Sequence, residues 1–328
     1  MQITTPAQLS LHLSALLAVV AGVISLSIIA INSFNLCLFG HLRCLRSSTR
    51  LHYWSLTISN LFVGLTAALF VHSAATQRWL LSPSACYAAG FVMNVGSGAS
   101  IYTLAALSVE RALVITRPLD HHRLVRQRYA AFALAAIWLY SCSLATWCFF
   151  SRYGNLYEFD QGSFTCSIAY RRSLISVGFT IGNPIVLAGG LILLSWLLIL
   201  RAARQHSARL ASIRGRKQCR TIAFITCAYY TTWLPLAIRQ TWLAVQQQEP
   251  SVWPDFLITW LVISNAFWSS FVYALTDRQY GQTIDHLWRE PRLFFSPTRL
   301  SLSTTSRIRL PQASNASIIH FIPSSLLE

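Results

Sequence analysis

Seven long stretches in which apolar residues predominate divide the chain, at about residues 14–39, 52–73, 85–115, 129–150, 173–200, 221–245 and 252–276. Each is long enough to cross about 30 Å of hydrocarbon as a helix. Open strands are excluded for such runs, because in lipid they would leave backbone groups unpaired. No internal repeat and no second domain are visible. The pattern predicts an all-α fold: a short leading segment (1–13) and a seven-transmembrane helix bundle (14–276). A short amphipathic cytoplasmic helix (277–288) follows, because Tyr280, Ile284 and Leu287 recur at i, i+4 and i+7. Residues 289–328, rich in Ser and Thr and poor in acids, read as a disordered tail. The first apolar stretch has no basic n-region or small-residue cleavage site, so it reads as an uncleaved helix.

Composition narrows the class further. Hydrophobic residues make up 54% and charged residues 11%, with mean hydropathy +0.47. A soluble protein carries about 25% charged residues, so a soluble two-domain enzyme is excluded, as is a disordered chain. The 26 Lys and Arg outnumber the 10 Asp and Glu. All but Arg78, Arg152, Arg171, Arg172 and Arg239 fall in alternate connections and the tail. The basic side of a membrane protein faces the cytoplasm, which puts the N-terminus outside and the C-terminus inside. The same distribution argues against nucleic acid, which would call for a basic patch on a folded domain. Asn315-Ala316-Ser317 then lies on the inner side and is expected to stay unglycosylated.

Cysteines and carboxylates add two exclusions. Cys37, Cys44, Cys142, Cys148, Cys219 and Cys227 lie in or beside apolar segments and read as reduced packing residues. Cys86 and Cys166 face the oxidising side. Glu110 is the only carboxylate within or at the ends of the first six stretches, and no metal-ligand spacing appears. Neither enzyme chemistry nor a cofactor is expected.

Polar residues and prolines at specific depths carry the finer signal, since they are costly in lipid. Asn32 lies in the first stretch, Asn60 in the second, and Glu110-Arg111-Ala112 closes the third. Trp138 lies in the fourth, Pro184 in the fifth, Trp233-Leu234-Pro235 in the sixth, and Tyr273 ends the seventh. In this order the chain resembles the rhodopsin-like (class A) G-protein-coupled receptors over about residues 14–290. Trp79, seven residues before Cys86, and the 25 residues from Cys86 to Arg111 fit the same resemblance. It implies a Cys86–Cys166 disulfide pinning the second outer loop to the third helix. It also implies that Glu110, Arg111 and Tyr273 form a G-protein-coupling switch, with Trp233 and Pro235 a movable toggle. Alone, Arg111 would read as an interfacial arginine reaching for headgroups, and Trp233 as a packing residue beside a kink.

The chain departs from the family at several points. Asn60 stands where an aspartate usually helps hold a sodium ion, with Ser100 and Asn265 matching other members of that cluster. Ser269-Ser270-Phe271-Val272-Tyr273 replaces the usual Asn-Pro-x-x-Tyr. Gly215 stands where many relatives place an acid that locks the arginine, and Ile192 where a tyrosine often supports the active state. These changes predict little sodium sensitivity and raised basal activity.

Carried over position by position, the ligand cavity would be lined by Met93, Asn94, Ser97, Ser176, Thr180, Trp233, Gln240, Thr259 and Trp260. Met93 replaces the aspartate that pairs with amine ligands, although Trp260 and Ser176 keep an amine-receptor texture. Ile263 replaces the lysine that would hold retinal. The wall suits a small neutral or weakly polar extracellular ligand. Asp255 and Arg239 read as solvated rim residues or as anchors for an ion, and the loop 151–172 is short enough to admit a short peptide. The basic stretch 201–220 suits acidic membrane lipids and a heterotrimeric G protein. Ser301, Ser303, Thr304, Thr305 and Ser306, once phosphorylated, suit arrestin-like partners. The expectation is a plasma-membrane receptor that couples a small extracellular ligand to a G protein. A receptor-like protein with little or no signalling, a heteromer partner, and a short-peptide receptor are the alternatives.

Overall fold

Apolar side chains cover much of the outside of the bundle, and its interior sets buried polar groups among apolar ones. The structure, a computed structural model, describes residues 9–41, 47–117, 125–152, 154–205, 213–248 and 250–276; at 40, 41, 203, 205, 213–222 and 269–276 it describes the backbone alone. Seven helices run through it: α1 Leu11–His41, α2 Ser47–Thr76, α3 Pro83–Thr116, α4 Gln127–Trp147, α5 over residues 174–205, α6 Ile213–Gln246 and α7 Val252–Thr276. Between α4 and α5 lies a hairpin, β1 Tyr157–Asp160 and β2 Thr165–Ile168. Helices α1 to α5 are long and apolar enough to cross a membrane, and α6 and α7 complete the bundle. Leu16, Val19, Phe132, Leu139, Val186, Leu194, Ile238 and Leu257 face outward, whereas Asn32, Thr57, Ser59, Asn60 and Thr103 are wholly buried. That arrangement suits lipid, where exposed carbon costs nothing and polar groups must find partners inside.

The third helix is the axis of the bundle. It touches α2, α4, α5, α6, α7 and both strands. Its start is fixed by Ser82, whose hydroxyl accepts the Ala85 N–H, and by Pro83, which needs no N–H at that position. One apolar cluster joins α3 to α2, α5 and α6 through Leu56, Tyr102, Leu104, Ile181, Ile192, Tyr229 and Trp233. A second joins α1, α2 and α7 to the hairpin through Ile28, Phe70, Phe164, Phe256 and Trp260.

Within α5 the backbone widens into π turns over Gly178–Gly182 and Pro184–Gly189. Pro184 lacks an N–H and cannot close a normal turn. Its carbonyl is taken by the Tyr229 hydroxyl of α6 at 2.8 Å. Gly189 is what permits this approach, since a Cβ there would lie 2.8 Å from the Tyr229 ring.

Several boundaries differ from the hydrophobic pattern. Helix α2 begins at Ser47, five residues ahead of the apolar run, and α4 ends at Trp147 rather than Phe150. The basic stretch 201–220 is not one loop: 201–205 closes α5 and 213–220 opens α6. Arginine has good helix propensity and a long stem that reaches headgroups from a helix end, so hydrophobicity stops before the helix does. The amphipathic segment 277–288, the tail 289–328 with its Ser/Thr cluster, Cys44 and the side chains of Cys219 and Tyr273 all lie outside what is described.

Candidate functional site

At one end of the bundle the hairpin forms a roof. Cys166 on β2 is bonded to Cys86 at the start of α3, with Cα atoms 5.4 Å apart. The fit is close, because a Cβ at Gly90, one turn below, would lie 2.6 Å from the Tyr157 ring of β1. Only glycine lets the hairpin lie this low on α3. Tyr157 donates its hydroxyl to the Ala145 carbonyl at the end of α4, and Trp260 of α7 donates its indole N–H to the Ser163 carbonyl at the hairpin tip, 3.2 Å away. Trp79 packs against Phe70 of α2 and Phe159 of β1. The roof is thus tied to α2, α3, α4 and α7.

Burial dominates the chemistry of this roof. It raises the Asp160 carboxyl, and the neighbouring Asp255 charge raises it further, while the Ser163 hydroxyl and Gly162 N–H pull the other way. The Tyr157 and Tyr170 phenols are raised by the same loss of water. The Cys148 thiol is pushed up to about 11, so it is an inert packing group rather than a nucleophile.

The rim residues meet each other rather than water. Arg239 of α6 grips Asp255 of α7 with two hydrogen bonds, Nε to Oδ1 at 2.7 Å and Nη2 to Oδ2 at 3.0 Å. Arg239 also donates to the Ser251 hydroxyl at 3.1 Å, and the Ser251 N–H donates to Asp255 at 2.5 Å. Asp255 is 1% exposed. The expectation of solvated or ion-anchoring rim charges is therefore corrected: the two neutralise one another. Glu158 of β1 is likewise engaged by Arg171 and Arg172. The loop that was expected to leave room for a peptide is folded down as the roof, leaving beside it a cleft of about 30 Å3 lined by Glu158, Asp160, Tyr170, Gln240 and Leu243.

Beneath the roof, the residues expected to line a cavity are only partly brought together. Ser176 is wholly buried, and its hydroxyl has no hydrogen-bond partner. Thr180, one turn on, donates to the Ser176 carbonyl at 2.6 Å. Trp233 is 6% exposed, stacks on Tyr229 with ring centres 6.2 Å apart, and also leaves its indole N–H unsatisfied. Each such orphan costs about 1–3 kcal/mol. Met93, Asn94, Ser97 and Thr259 are partly buried, with the Asn94 amide 3.5 Å from the Tyr157 hydroxyl. Gln240 faces the rim cleft, and Trp260 buttresses the roof against Phe256 and Phe164.

Half-way down, the amide of Asn60 is used at both ends. Its Nδ2 donates to Asn32 of α1 at 3.3 Å, and its Oδ1 accepts from Ser100 of α3 at 2.7 Å. Asn32 donates in turn to the Ala266 carbonyl of α7, and Asn265 donates to Thr232 of α6 at 3.4 Å. The seam links α1, α2, α3 and α7 without a formal charge. Nearby, Trp138 of α4 donates to Ser55 of α2, which bonds Thr103 of α3.

At the opposite end, Glu110 and Arg111 both reach α2. Glu110 Oε1 accepts from Thr49 at 2.6 Å and from Ser48 at 3.2 Å, while His52 Nδ1 lies 3.2 Å from Oε2. The Arg111 Nη2 donates to the Tyr53 hydroxyl at 2.7 Å. Sequence reading named Glu110 and Arg111 but missed Ser48, Thr49, His52 and Tyr53. The available signal was a run of polar residues just ahead of an apolar helix.

A lidded seven-helix membrane bundle, with a polar seam and a Glu-Arg pair at the end away from the lid, defines a receptor-like architecture. The sequence model of the family described as 7 transmembrane receptor (rhodopsin family) matches residues 31–273, and the chain belongs to that family. It is similar to G-protein coupled receptor 52 of Bos taurus, 25% identical over 253 residues, which cover 68% of this chain and 66% of that one. It is 27% identical over 292 residues to a GQ-coupled rhodopsin of Mizuhopecten yessoensis (80% and 57% covered). Over 298 residues it is 24% identical to melatonin receptor type 1B of Rattus norvegicus (84% and 79% covered). The chain thus spans just under two thirds of the first of these relatives and little more than half of the second. The crystal structure of squid rhodopsin superposes with a TM-score of 0.73 at 17% identity, over 89% of this chain and 91% of that one, which matches the fold.

Proposed function

We propose that this protein is a G-protein-coupled receptor of the plasma membrane, with the hairpin end extracellular, the Glu110-Arg111 end cytoplasmic, and a small neutral molecule as its ligand. The observation that carries the reading is the position of α3. One central helix runs from the disulfide-anchored roof to the Glu-Arg pair and touches α2, α4, α5, α6 and α7. A displacement beneath the roof therefore reaches the far end through packed contacts rather than through a flexible linker.

The ligand class is inferred from what the residues expected to line the cavity lack. The rim charges Arg239 and Asp255 are satisfied by each other, and Met93 offers no counter-charge to an amine. A buried, unpaired ammonium would cost several kcal/mol. The orphan Ser176 hydroxyl and Trp233 N–H favour a ligand that presents a hydrogen-bond acceptor and an otherwise apolar body. Ile263 on α7 gives no Schiff-base lysine, so covalently held retinal is disfavoured despite the rhodopsin relatives.

Inside the cell, the Glu110-Arg111 end would receive the G protein, and the basic helix ends would meet acidic lipid. Basal guanine-nucleotide exchange on purified heterotrimers, with wild-type protein against Arg111→Ala in lipid vesicles, tests the reading. Wild type is expected to exceed background and Arg111→Ala to fall to it. Equal rates for the two proteins would overturn the assignment.

A further inference from the structure

We propose that Tyr53 is the resting clamp on Arg111, so that α2 takes the restraining role for which α6 has no acid. The inference rests on the receptor reading above and assigns a positioning residue to its switch. Residues 213–246 of α6 contain no Asp or Glu, so that helix offers the arginine no acidic restraint. The structure supplies one on another helix: the Arg111 guanidinium donates to the Tyr53 hydroxyl oxygen at 2.7 Å.

Three features make that contact a clamp rather than a passing bond. Tyr53 is 1% exposed, so water competes poorly for its hydroxyl. The ring is fixed by stacking on Phe39 of α1, with ring centres 5.4 Å apart and planes 26° apart. The neighbouring Glu110 is fastened to the same helix by the Thr49 and Ser48 hydroxyls about one turn earlier, with His52 Nδ1 3.2 Å from its other oxygen. Both members of the pair are thus tied to α2, and moving the arginine away from that helix breaks a neutral-to-charged bond. A phenol restrains a guanidinium more weakly than a carboxylate does, because the attraction is charge to dipole rather than charge to charge. Such a clamp sets a basal activity above that of a carboxylate-locked receptor.

The test is basal nucleotide exchange on purified heterotrimers by the full-length protein in lipid vesicles. Tyr53→Phe keeps the ring stack and removes only the hydroxyl. It is expected to raise exchange about ten- to a hundredfold, the range for losing one hydrogen bond to a charged group. Adding Arg111→Ala to Tyr53→Phe should abolish the rise. Adding Gly215→Glu instead should return it toward wild type by supplying a carboxylate on α6, a rescue that a purely structural Tyr53 would not allow. Exchange by Tyr53→Phe at or below wild type, while Arg111→Ala still lowers it, would overturn the clamp and leave the receptor reading standing. If Arg111→Ala matches wild type, the receptor reading falls and the clamp falls with it.

Discussion

Replacing Cys86 and Cys166 together with serine is expected to lower the midpoint of thermal unfolding by on the order of 10 °C, a loss of about 4 kcal/mol. The two cysteines are 80 residues apart, and long loops lose the most entropy when closed. The double replacement avoids a lone thiol and so isolates the cross-link. More than chain entropy is at stake, because the bond seats the roof. Without it, the Tyr157 contact on Gly90 and the Trp260 bond to Ser163 must hold the hairpin down alone. Fluorescence-monitored melting of the detergent-solubilised protein, with and without the two cysteines, checks this. An unchanged midpoint would mean that apolar contacts alone set the roof.

The second large effect concerns the rim. Arg239→Gln is expected to cost about 3–5 kcal/mol, because it strands Asp255 as an unpaired charge in a site only 1% exposed. Arg239→Gln with Asp255→Asn is expected to recover most of that loss. Asparagine keeps an oxygen for the Ser251 N–H that starts α7 while removing the charge that needed a partner. The measurement is a double-mutant cycle of melting midpoints. A double variant as unstable as the single one would show that the arginine acts through packing rather than charge.

Much of this architecture was legible in the sequence, and the reasons for success and failure are physical. The seven helices announced themselves because lipid admits no other answer for a 20-residue apolar run. The disulfide and the Glu110-Arg111 pair came from spacing within a known family pattern. The hairpin was not legible: Tyr157–Asp160 and Thr165–Ile168 are four residues each, too short for alternation to show. Nor was the mutual satisfaction of Arg239 and Asp255, which sit on different helices and meet only once α6 and α7 pack side by side. The partners of Glu110 were missed for a related reason. Ser48 and Thr49 lie ahead of the apolar stretch that begins at His52, where composition reads as loop and the backbone is already helical.

The same logic explains the middle of the bundle. Asn60 was read as the loss of a sodium-holding charge. The structure gives the positive side of that change: a neutral amide that donates to Asn32 and accepts from Ser100, stitching three helices together.

If Glu110 and Arg111 form a switch, the bundle has two arrangements of similar energy, differing in how far α6 stands from α3 at the Arg111 end. Spin labels carried by unnatural residues at Thr116 on α3 and Phe224 on α6, in lipid nanodiscs, read that separation directly. The account predicts two resolved distance populations, with a nucleotide-free G protein shifting the balance to the longer one and Tyr53→Phe shifting it the same way. A single population, unmoved by the G protein, would contradict it.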